Sequence, residues 1–178
     1  MASTTTERTQ PQLAAPRTLA GGFAALRIFM GLVWVSNALA KVFSQGTVDW
    51  GFFFFNLITR DAALRIATDA SSKSQIAPLA AFYRDVVLPN WGFFGIFLTV
   101  AELAVAIGLL FGIATRLAAV GGLLLLTPIW LMLLHTNLYL WEYPLDLFPL
   151  LLLAIVPAGQ TFGLDRALSA RFHSRWPF

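Results

Sequence analysis

Four long apolar stretches organise the chain, separated by two short polar links and one long mixed connection. They run from about Leu19 to Phe43, from Trp91 to Ile113, from about Leu117 to Leu134 and from about Leu138 to Val156. A helix rising about 1.5 Å per residue needs roughly 20 such residues to cross a hydrocarbon core of about 30 Å. The links Ala114-Thr115-Arg116 and His135-Thr136-Asn137 are short enough to make their flanking helices antiparallel neighbours. The pattern predicts an all-α, integral membrane four-helix bundle over residues 19–159. A polar tail (1–18) precedes it and a basic tail (160–178) follows.

The long connection, residues 44–90, predicts an interfacial, amphipathic insert between the first and second spans. Its segment Val48 to Arg60 is apolar but too short to span. Trp50 and Phe52, Phe53, Phe54 and Phe55 are expected at the acyl boundary or docked on a partner. Asp61 to Lys73 reads as a short surface helix and Ile76 to Val87 as a second amphipathic piece. Pro89-Asn90 then precedes the second span.

Composition agrees. Hydrophobic residues make up 58% and charged residues 12%, with a mean hydropathy of +0.73; an ordinary soluble domain is about 25% charged. A net charge of +3 gives no basis for nucleic-acid binding. The sequence holds no cysteine, which excludes disulfides, iron–sulfur clusters and c-type haem attachment within these residues. The first apolar run is too long for a signal-peptide core, so no cleavage is expected at Ala38-Leu39-Ala40. Arg8, Arg17, Arg116, Arg166, Arg171 and Arg175 share one side, whereas the insert mixes both signs. The positive-inside rule then puts both termini in the cytoplasm.

Against this background the ionisable groups stand out. Glu102 lies near the middle of the second span, where an unpaired carboxylate costs several kcal/mol. Lys41 falls near the outer end of the first span, with Asn37 one turn deeper, and His135 ends the third. Glu142 and Asp146, four residues apart, share a face of the fourth. Convergence of these groups on an outer cavity, with Glu102 at its floor, would make a ligand or proton site. The plain alternatives are a snorkelling Lys41 and a structural pair of Glu102 with Arg27 or Lys41. Arg27 and Arg116 are candidates for structural ion pairs. Ala104, Gly108 and Gly112 form a small-residue face for helix packing, within the bundle or between copies. Trp34 and Trp130 lie deeper than the other tryptophans, for packing or around a flat ligand. No metal cluster, phosphate loop or membrane histidine pair is present, so no cofactor has evident ligands, and quinone is the candidate that needs none.

Several segments are familiar in their order. Arg27-Ile28-Phe29-Met30-Gly31 leads through Asn37-Ala38-Leu39-Ala40-Lys41 to Val87-Leu88-Pro89 and Glu102. Then come Gly108-Leu109-Leu110-Phe111-Gly112-Ile113-Ala114-Thr115-Arg116 and, at the close, Phe162-Gly163-Leu164-Asp165. From about residue 20 to 166 the chain resembles the DoxX/DoxD-like family of small four-helix membrane proteins. Arg27, Lys41, Glu102 and Arg116 match that family's recurring polar positions. The resemblance implies a prokaryotic plasma-membrane bundle tied to oxidoreductase systems. The Phe-rich insert and polar tail are individual to this chain.

Three functions follow as expectations. The first is a non-catalytic accessory subunit of a larger respiratory or photosynthetic electron-transfer complex. Its partners would be lipid, other membrane subunits and quinone- or pigment-bearing neighbours. The alternative is a membrane subunit of a quinone-linked oxidoreductase of the thiosulfate:quinone type, with quinone or a small anion near Glu102. A small-solute transporter comes third, because internal repeats and paired broken helices are absent.

Overall fold

A computed structural model describes residues 16–135, 142–172 and 176–177, with the side chains of His135 and of residues 142–144 outside that description. The chain runs through α1 (Pro16–Phe43), strands β1 (Thr47–Asp49) and β2 (Phe54–Asn56), α2 (Arg60–Lys73) and α3 (Ala77–Phe82). A π-helical turn, Tyr83–Val87, leads to α4 (Trp91–Phe111), α5 (Thr115–Met132), α6 (Glu142–Ile155) and α7 (Asp165–Arg171). Helices α1, α4 and α5 are each long and apolar enough to cross a membrane, as a membrane protein requires. The fourth apolar stretch forms α6, a shorter helix whose apolar part is Leu145–Ile155. Residues 136–141, where a full fourth span would begin, lie outside the described residues.

α1 packs along α4, α4 against α5, and α5 against α6, which returns to touch α1. The shared core contains Met30, Trp34, Val105, Leu109, Leu150 and Leu153. In a bilayer the lipid is as apolar as these side chains, so close packing rather than water exclusion holds such helices together. Two glycines permit that closeness. A Cβ on Gly31 would lie 2.7 Å from the Leu110 backbone nitrogen, and one on Gly122 would lie 3.0 Å from the Trp34 ring. The outer faces stay apolar: Phe29, Leu32, Phe93, Ile96, Val100 and Leu124 are all exposed.

The insert departs from an all-α reading in one place. Residues 47–56 form an antiparallel hairpin, with Val48 opposite Phe55. Its turn is set by Asp49, whose Oδ1 accepts from the Gly51 nitrogen at 2.7 Å, and by Gly51 at φ 78°. The Trp50, Phe53 and Phe55 rings cluster across the ladder at 5.6–6.3 Å. The run Phe52–Phe55 hides the alternation that marks a strand. α2 is capped by Thr59, whose hydroxyl accepts from the Ala62 nitrogen. α2 packs on α1, α4 and α5, and α3 packs on α5, so the insert covers one end of the bundle.

Candidate functional site

Two buried cations occupy the bundle, and their surroundings differ. Arg27, on α1, is fully buried. Its Nη1 donates to the carbonyls of Leu109 (2.6 Å) and Leu110 (3.0 Å). Its Nη2 donates to Phe162 O (2.9 Å) and, at greater length, to Thr161 O (3.5 Å). Its hydrogen bonds go to backbone, while the carboxylate that acts on it electrostatically is Asp165 of α7. The last carbonyls of a helix have no intrahelical donors and carry the negative end of its dipole, so a buried guanidinium fits there.

The α4–α5 turn completes this end. Gly112 ends α4 at φ 66°, and a Cβ there would lie 2.8 Å from both Arg27 Nη1 and Gly163 Cα. Gly112 therefore serves as a left-handed cap rather than as a helix-packing position. Asp165 is buried and caps α5, its Oδ1 accepting from Ala114 N (2.6 Å) and its Oδ2 from Thr115 N (2.9 Å). Its own nitrogen donates to Gly112 O at 2.7 Å. Sequence reasoning gave Asp165 no role, although its place in Phe162-Gly163-Leu164-Asp165 beside a helix start was the available signal. Arg116 makes no ion pair among the described residues, against expectation, and its Nε is buried without a hydrogen-bond partner.

The other cation is Lys41, near the end of α1. Its Nζ lies 2.8 Å from Glu102 Oε2, with side-chain exposures of 2% and 14%. The contact is an ion pair by distance, and Oε2 has no well-aligned hydrogen bond. Both residues line a cavity of about 270 Å³ between the bundle and the insert. Trp34, Phe94 and Phe97 wall it from the spans, Ala67 and Tyr83 from the insert, and Pro128 from α5. Pro128 has no N–H to donate to the carbonyl one turn earlier in its helix. Burial pushes the Tyr83 phenol above its ordinary value, so the cavity wall is uncharged there near neutrality.

Of the six residues expected to form a site, the structure joins Glu102 and Lys41. Asn37 does not line the cavity. Its Nδ2 donates to Val33 O, and its Oδ1 accepts from Ile58 N at 3.0 Å, so it ties the end of the hairpin to α1. Asp146 is exposed on α6 and away from the cavity. The side chains of His135 and Glu142 fall outside the described residues. Of the small-residue face, Gly108 is the packing position, since a Cβ there would meet Ala118 of α5 at 2.5 Å. Ala104 is exposed and faces a groove between α4 and α5. Trp50, Phe52, Phe53 and Phe54 are exposed on the hairpin and Phe55 is half-buried, with Phe52 at 91%.

Three helices able to cross a membrane, with a buried ion pair and an aromatic cavity among them, are compatible with a helical membrane protein. No protein-family model matches the chain significantly, nor does any curated protein or solved structure.

Proposed function

We propose that the chain is a multi-pass membrane subunit that binds a quinone-type ring beside Lys41 and Glu102 and leaves electron transfer to a partner. The observation that carries this reading is the buried Lys41–Glu102 pair at the wall of an aromatic cavity. A buried ion pair is a poor stabiliser, because its desolvation cost cancels most of its attraction. Intramembrane charges persist chiefly where they serve a ligand or proton path. Lys41 has three N–H donors and one carboxylate contact, so it has donors to spare for a ring carbonyl. Glu102 supplies the acceptor for a hydroxyl on the reduced ring. Apolar walls with a few placed polar groups are what such ligands select.

The resemblance to the DoxX/DoxD-like family supports a link to oxidoreductases, and with it a prokaryotic plasma membrane. On this reading α6 is the fourth helix of the bundle, which the insert closes. Arg17, Arg116, Arg166 and Arg171 then flank the cytoplasmic face. A purely structural accessory role gives the cavity and its ion pair no purpose.

The test is solvent extraction of the protein purified from its own membrane, with quinone measured by mass spectrometry. Near-stoichiometric quinone in the wild type and its loss in Glu102→Gln are expected. Quinone no higher than in an unrelated membrane protein from the same cells would falsify the reading.

A further inference from the structure

The cavity that holds Lys41 and Glu102 is about 270 Å³, below the roughly 300–1,000 Å³ of most ligand sites. It has room for a ring but not for a long chain attached to it. A second, larger depression of about 650 Å³ lies on the outside of α4 and α5. Phe97, Leu124 and Leu125 belong to the walls of both. The cavity and the outer groove therefore adjoin at these side chains, two of which, Phe97 and Leu124, are themselves exposed.

The groove is apolar throughout, and it follows α4 from Phe97 to Gly108, about 16 Å at about 1.5 Å per residue. Ala101, Ala104, Ala118 and Gly121 keep it open along that length. No side chain in it can hydrogen-bond a headgroup, so it suits a hydrocarbon chain and not a polar ligand.

We infer that the groove between α4 and α5 seats the isoprenoid tail of the ligand whose ring lies beside Lys41 and Glu102, the tail leaving the cavity between Phe97 and Leu124. This rests on the proposed quinone site and narrows its ligand to long-tailed, membrane-borne quinones. The ring would enter sideways from the bilayer, since the insert covers the outer end of the bundle.

The experiment uses the full chain in lipid nanodiscs and a prenylated naphthoquinone with a diazirine midway along its tail. After photolysis, adducts are mapped by mass spectrometry, with and without excess tail-less naphthoquinone. Tail-less binding is followed separately by tryptophan quenching. The expected result is adducts concentrated on groove residues such as Ala101, Ala104 and Leu124, lost on competition. Ala104→Leu, at an exposed position, should remove those adducts while tail-less binding stays unchanged. Tail-less binding with adducts scattered over Phe29, Leu32 and Val100 would overturn the groove and leave the cavity standing. Absent tail-less binding would overturn the cavity reading and the groove with it. A wild-type dimer that Ala104→Leu converts to monomer would give the groove to a second copy and overturn the tail.

Discussion

The two ends of this bundle each bury a basic side chain, and they use it in opposite ways. Arg27 directs its two terminal nitrogens at backbone carbonyls of α4 and of the segment before α7. Lys41 meets one carboxylate, at the edge of a cavity. The first arrangement ties the last carbonyls of α4 to the segment before α7, and so it fixes the fold. The second keeps donors and a carboxylate next to open space, and so it offers chemistry. A buried charge is thus better judged by where its remaining hydrogen-bonding capacity points than by its depth.

The largest expected effect falls on the Arg27 end. Arg27→Met strands carbonyls at the end of α4 and should cost about 3 kcal/mol or more, read by denaturant unfolding in bicelles. A loss below about 1 kcal/mol would mean that the clasp does not hold the α4–α5 end, and the contrast between the ends would fail.

At the Lys41 end the sign pattern matters more than the size. Lys41→Met or Glu102→Gln alone removes one member of a buried pair, and Lys41→Met should cost about 3 kcal/mol by leaving an uncompensated carboxylate. The double variant should recover most of that stability, because a neutral pair has no desolvation cost to offset. Recovery without ligand binding would assign the pair to function. A double variant no more stable than Lys41→Met would assign it to structure.

Smaller effects sharpen the contrast. Gly112→Ala forces a side chain into a left-handed cap and against Arg27, for a loss of about 1–2 kcal/mol with ligand binding intact. Asn37→Ala removes the acceptor for Ile58 N and should cost about 1 kcal/mol. Its clearer readout is faster labelling of a cysteine placed at Phe52, in a chain that has no other cysteine.

The apolar helices were legible because long hydrophobic runs leave no alternative at this composition, and Glu102 because it interrupts such a run. Its pairing with Lys41 was one of two options, since spacing along single helices does not fix which helices touch. The hydrogen-bond acceptors of Arg27 are backbone carbonyls, which leave no mark in the sequence. Asn37 and Asp146 share a predicted depth with the site but face elsewhere. Rotation about the helix axis depends on packing that no single span encodes. The hairpin escaped because Phe52–Phe55 lacks alternation, although Asp49-Trp50-Gly51 carried a turn signal.

The proposed function requires the Lys41–Glu102 cavity to take a quinone ring. The most direct measurement is titration of the protein in nanodiscs with a tail-less naphthoquinone, followed by tryptophan quenching, since Trp34 and Trp91 line the cavity. Saturable quenching is expected in the wild type and in Gly112→Ala, and its loss in the folded double variant Lys41→Met/Glu102→Gln. Equal saturable quenching in the double variant, or none in the wild type, would contradict it.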